Sequence, residues 1–328
     1  MIRAACLALV LASPLTAQPV LSIDITQSQG EDFGTAMAVA LEAGAEATSL
    51  SLFWDDLEPN GPGYAPKNDW PTIANAVYPG QGLSLTLTFS VIDTLADRRR
   101  ADLKGLAWDD PRVTSAFAAH LRDVLGRMPD ADILAIAIGN EVDGHLQTPQ
   151  EIAGFARFLA AARAELARLR PGVPVGTKLT HGAIAGNAGL WQPLLVRSSA
   201  LMVTYYPLDA GFVARGPGVA SADLSALAAV APELPIYLLE AGYPSAGCSA
   251  SEADQAAFVQ NLMASAAATP RIALVSLTWL SDMAPHEAEA LAAYYGLSNR
   301  CFIAYLGSIG LRRANGTAKP AFDVLSPP

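Results

Sequence analysis

Two glutamates end apolar, strand-like runs. Glu141 closes Ile136-Ala137-Ile138-Gly139-Asn140-Glu141, and Glu240 closes Ile236-Tyr237-Leu238-Leu239-Glu240. A pair of carboxylates brought to one cleft from two strands is the equipment for cleaving a glycosidic bond, one group acting as general acid and base and the other as nucleophile. In the retaining version the carboxyl groups lie about 5–5.5 Å apart. Their surroundings then have to differ, since Glu141 must start protonated and Glu240 ionised. Taken singly, either glutamate is equally an ordinary cap on the following helix. Together, with Asn140 beside one of them to donate its amide to a sugar 2-hydroxyl, they point to glycosidase chemistry.

To meet in space, residues 240 − 141 = 99 positions apart need a fold that gathers strand ends. Eight runs rich in Val, Ile, Leu and Thr lack the alternation of a half-exposed strand: Val20 to Thr26, Ala47 to Trp54, Leu83 to Ile92, Ile133 to Gly139, Val173 to Leu179, Leu201 to Tyr206, Ile236 to Glu240 and Ile272 to Leu280. Helical patterns lie between them. Thr148-Pro149-Gln150-Glu151 is a capping box with proline at the first helical position, opening a run through Leu169, and Ser249 with Glu252 repeats the arrangement before Ala253 to Ala268. Asp32 to Ala43, Pro111 to Met128 and Ser221 to Ala231 are further helices. Strand then helix, eight times, predicts a single-domain (β/α)8 TIM barrel of the α/β class. An open doubly wound sheet lacks its glycine-rich loop after the first strand. Barrel active sites lie at the C-terminal strand ends, where both glutamates fall. Trp54, Asp55, Asp56, Asp93, Lys178, His181, Tyr205, Tyr206, Trp279 and Asp282 collect at the same end.

No linker or low-complexity tract divides the 328 residues, 52% of them hydrophobic. Residues 1–17 carry a basic start at Arg3, a short apolar run and Ser13-Pro14-Leu15-Thr16-Ala17, the pattern of a secretory signal peptide, which leaves 18–328 as the barrel and implies a secreted or periplasmic protein. No run approaches the ~20 apolar residues needed to span a bilayer. Without Arg3 the balance is 20 basic against 31 acidic residues, a net of −11, which argues against nucleic acid and anionic membranes. Neutral oligo- or polysaccharide fits such a surface. An exported protein permits a Cys248–Cys301 disulfide, with two free thiols as the alternative. The histidines, at 120, 145, 181 and 286, show no paired metal spacing, so no metal or other cofactor is expected, and nothing in the sequence favours a particular oligomeric state.

In element order, and through Asn140-Glu141 and Leu239-Glu240-Ala241-Gly242-Tyr243-Pro244-Ser245, the chain resembles clan A of the glycoside hydrolases. Phe53-Trp54-Asp55-Asp56-Leu57-Glu58-Pro59 and Thr204-Tyr205-Tyr206-Pro207 are most similar to its arabinogalactan endo-β-1,4-galactanase branch. The resemblance implies Glu141 as acid/base, Glu240 as nucleophile and Tyr206 as the tyrosine that hydrogen-bonds the nucleophile. Trp279 and Trp54, at strand ends, are candidate flat faces for a sugar ring. Long loops at 58–82 and 93–110 are candidate walls of an open groove, hence endo action on a polysaccharide. Two family residues are missing: the strand-two arginine that supports the nucleophile, and a histidine near the end of strand three. Their absence motivates a second expectation, a carbohydrate-binding barrel without turnover, and Lys178 admits a third, a Schiff-base lyase or aldolase.

Overall fold

The computed structural model describes residues 18–326; the expected signal peptide, 1–17, lies outside the described residues. The strands are β1 (Val20–Ile23), β2 (Ala47–Phe53), β3 (Ser84–Asp93), β4 (Ala96–Asp97), β5 (Ile133–Asn140), β6 (Val175–Gly176), β7 (Lys178–Thr180), β8 (Leu201–Tyr205), β9 (Ile236–Ala241) and β10 (Ile272–Leu277). The α-helices are α1 (Phe33–Glu42), α2 (Trp54–Leu57), α3 (Trp70–Val77), α4 (Pro111–Gly126), α5 (Pro149–Leu169), α6 (His181–Leu195), α7 (Ala220–Val230), α8 (Glu252–Ala267), α9 (Pro285–Tyr294), α10 (Arg300–Leu306) and α11 (Pro320–Leu325).

Hydrogen bonding orders the sheet β6-β5-β3-β2-β1-β10-β9-β8-β7, with β4 an antiparallel flap on β3. Every other pairing is parallel. Only Thr177 separates β6 from β7. The first half of this interrupted strand pairs with β5 and the second with β8, so the chain itself closes the ring. The result is a TIM barrel whose eight staves are the eight apolar runs of the sequence, the fifth broken in two. Strands buried on both faces explain the missing alternation: every residue from Leu85 to Ile92 in β3 is buried. Small and slender residues, among them Ala135, Ala137, Met202 and Leu274, pack together in a small cluster of their own, and the larger core lies between sheet and helices.

The capping box forms at α5, where Glu151 N donates to Thr148 Oγ1 at 3.2 Å and Thr148 N to Glu151 Oε2 at 2.9 Å. At α8 the cap is Ser251, not Ser249: Ser251 has the extended backbone an N-cap requires and accepts from Asp254 N, whereas Ser249 sits at φ +59°. Between β10 and α11 the chain makes an excursion, α9 and α10, that packs around its own apolar cluster including Phe302, Tyr305, Leu306 and Ile309. Cys248 and Cys301 are disulfide-bonded and tie α10 to the loop after β9. Buried Lys319 anchors the chain where it returns, donating to Asp282 Oδ1 at 2.7 Å, Gly310 O at 2.7 Å and Ser245 Oγ at 2.8 Å. Among the described residues, no helix is long and apolar enough to cross a membrane.

Candidate active site

Glu141 directly follows β5, in an uncommon backbone conformation, φ +44°. Such a position costs free energy in any residue with a Cβ and persists where surrounding structure over-determines it. Gly139 helps to do so, because at φ +83° an added Cβ would stand 2.5 Å from Val142 Cγ1. The turn delivers Glu141 into the barrel mouth, where Thr204 Oγ1 donates to Oε1 at 2.7 Å and Thr94 Oγ1 to Oε2 at 2.9 Å. Both partners are neutral hydroxyls. Burial first, and the nearby Glu240 carboxylate second, push the Glu141 carboxyl up to about 7.

Glu240 comes from β9, across a register irregularity that places its Cα beside Thr204. Thr204 therefore neighbours one glutamate along the sheet and hydrogen-bonds the other. The environment of Glu240 is of a different kind: Lys178 Nζ donates to Oε1 at 2.7 Å and Tyr206 OH to Oε2 at 3.0 Å. The Lys178 side chain is 3% exposed. On the same side stands Asp24, raised to about 6 chiefly by burial, its carboxylate accepting from Ser49 Oγ on β2. Strand two, which carries no arginine, thus contributes a hydroxyl to this corner, and the cation on Glu240 comes from β7. Lys178 thus stands in an ion pair with Glu240.

Strand alternation separates the two adjacent tyrosines: Tyr206 points inward to Glu240, while Tyr205 points out of the barrel to Asp223 Oδ2 at 2.9 Å. Asn140 Nδ2 donates to Asp93 Oδ1 at 3.1 Å, and the other Asp93 oxygen accepts from Tyr294 OH of the excursion at 2.9 Å. Trp279 lines the cavity. Trp54 does not, and the expectation of a sugar contact there is corrected. Because α2 begins at Trp54, the residue leaves the strand's alternation, and its indole is buried at 1% exposure with ring centroids 5.1 Å from Phe117 and 5.5 Å from His120 of α4. His181 lines the cavity at the start of α6, held below its usual range by burial, whereas His286 is exposed on α9. Asp55 and Asp56 pair with Arg98, and Asp282 with Lys319.

Both glutamates open into one cavity of about 530 Å³. Strand ends of β5, β7, β8 and β9 supply its polar floor, and the excursion supplies an apolar wall. Sequence reasoning missed Thr94 and the tyrosines of the excursion, Tyr295 and Tyr305. Thr204 lay inside a motif already singled out, next to Tyr206, yet its threonine carried no signal of its own.

The sequence matches no protein-family model and no curated protein. Among solved structures, the chain is similar to a GH5_18 protein from Streptomyces cattleya in complex with Manβ1-4GlcNAc, at 17% identity and TM-score 0.68 over 94% of this chain and 79% of that one. It is similar to the exo-β-1,4-mannosidase Op5Man5 from Opitutaceae bacterium strain TAV5, at 15% identity and TM-score 0.72 over 97% and 61%. A family 39 glycoside hydrolase from Bacteroides cellulosilyticus WH2 aligns at 13% identity and TM-score 0.64 over 94% and 64%. At these identities the likeness is one of fold, a barrel that glycoside hydrolases share.

Proposed function

We propose that the protein is a retaining β-glycosidase, with Glu240 as nucleophile and Glu141 as general acid and base. The observation that carries this reading is the contrast inside one cavity: a carboxyl raised to about 7 among hydroxyls faces a carboxylate held by Lys178 and Tyr206. In the first step Glu240 attacks the anomeric carbon while the bond to the leaving oxygen breaks and Glu141 gives that oxygen its proton. In the second, Glu141 as carboxylate takes a proton from water, the water oxygen attacks the same carbon, and the ester to Glu240 breaks. Lys178 and Tyr206 orient the nucleophile, Asn140 faces the 2-hydroxyl, and Trp279 offers its ring to the sugar face.

Glycoside-hydrolase neighbours support a carbohydrate substrate, and the mannose-containing ligand and mannosidase among them put β-mannosides first among glycones to test. The galactanase-like motifs put β-galactosides second. For the form of substrate, a short glycoside fits better than the interior of a polysaccharide. Tyr294 joins the excursion to the end of β3, and no residue of β1 or β2 lines the cavity, which supports a pocket for a short glycoside. The disulfide and the N-terminal pattern of residues 1–17 support export.

The test is release of 4-nitrophenol from aryl β-glycosides and of reducing ends from β-mannans, β-galactans, β-glucans and xylans, with Glu240→Gln alongside. Release that vanishes in the variant establishes reaction class and nucleophile together. Oligosaccharide binding by calorimetry without any release selects a binding barrel that lost turnover.

A further inference from the structure

Resting on that reading, we propose that the substrate is a β-glycoside whose aglycone is apolar, an alkyl, aryl or lipid group seated against the wall built by α9, α10 and the loop between them. A wall that met sugar hydroxyls would have to offer them partners, since an unpaired buried hydroxyl costs free energy. Apart from the phenols of Tyr295 and Tyr305, this one presents Leu291, Leu297, Phe302, Leu306 and Ile309, facing Leu208 and Phe212 from the segment after β8. None of these side chains donates or accepts a hydrogen bond.

The wall stands on the side from which a leaving group departs. Glu141 protonates the leaving oxygen, and its partner Thr94 is followed directly by Leu95, which lines the same cavity at its lip with 53% of its surface exposed. The excursion reaches that side too, since its Tyr294 OH donates at 2.9 Å to Asp93 Oδ2, on the residue just before Thr94. Leu95 thus continues the apolar lining of the cavity out to its lip. The disulfide Cys248–Cys301 and the Lys319 anchor hold this wall against the barrel, so it is built rather than loosely laid. The reacting sugar meets the polar strand ends, and the aglycone meets the helices.

The experiment uses the full mature protein and methyl, butyl, hexyl and octyl β-glycosides of the glycone most active as an aryl glycoside, below their critical micelle concentrations, beside a disaccharide of the same glycone. We expect kcat/KM to rise by about fourfold per methylene until the cavity is filled, and the octyl glycoside to outrun the disaccharide. Leu297→Gln, at a half-buried wall position, flattens the dependence, while the volume-conserving Leu297→Met keeps it. Cleavage of every member with no dependence on chain length, or preference for the disaccharide, overturns the apolar aglycone and leaves the glycosidase standing. Octyl β-mannoside, β-galactoside and β-glucoside are also titrated calorimetrically into Glu240→Gln. Binding with a negative heat-capacity change, but no cleavage by the parent protein, supports the apolar site and overturns the glycosidase. Neither binding nor cleavage overturns both.

Discussion

One cleft holds the same side chain twice in opposite company. Around Glu240 gather an ammonium and a phenol hydroxyl; around Glu141 gather two threonine hydroxyls and, beyond them, the charge of Glu240 itself. A cation favours the ionised form, whereas burial beside a like charge favours the protonated one. The difference teaches that the protonation a glutamate prefers is written in its neighbours and not in the glutamate itself. It also shows where a cation stands when strand two carries no arginine: Lys178, in the second half of the interrupted fifth stave, pairs with Glu240.

The sharpest way to break that contrast is to remove the acid. Glu141→Ala should cut kcat/KM on an alkyl β-glycoside by about 10²–10⁴, yet spare a 2,4-dinitrophenyl glycoside, whose leaving group needs no proton. Equal losses on both would take the acid role away from Glu141. Next in size is Lys178→Met, which strips Glu240 of its cation. Its kcat/KM should fall by roughly tenfold or more at pH 5, with the acid limb of the profile displaced upward, and Lys178→Arg should recover part of the loss. A uniform fall at every pH would make Lys178 a packing residue only.

Stability tests the same contrast from the other side. The Glu141 carboxyl is raised above its ordinary 4.5 to about 7, so the folded state holds this proton more tightly than the unfolded chain does. Its contribution is full below about pH 4.5 and lost as the pH climbs through about 7. Glu141→Gln has no charge to bury and should gain on the parent protein at pH 8 relative to pH 5, by roughly 2–5 °C in Tm; a difference independent of pH would contradict the assignment. The smallest effect concerns the two tryptophans. Trp54→Phe should leave kcat/KM within about twofold while lowering Tm, because its indole touches the helix layer. Trp279→Phe should do the reverse, lowering kcat/KM by about tenfold.

Much of the fold was legible because a parallel barrel writes itself as isolated apolar runs, and each run found its stave, even where Thr177 splits β6 from β7. The start of α5 was legible from its capping box. Ser249 misled because an N-cap is a backbone conformation before it is a residue type. The excursion was not legible as a cavity wall, since its function rests on contacts such as Asp93 with Tyr294, 201 residues apart. Nor does any local pattern reveal that Lys178 meets Glu240 across 62 residues.

Apolar period, caps and strand-end position were enough to place Glu141 and Glu240 at one mouth, because those signals act over a few residues and the barrel's geometry does the rest. Which glutamate receives a cation, that Trp54 turns into the helix layer, and that the cleft is half apolar were decided in three dimensions. Burial, charge proximity and packing depend on distances between side chains, and a linear sequence carries no distances across its own folds.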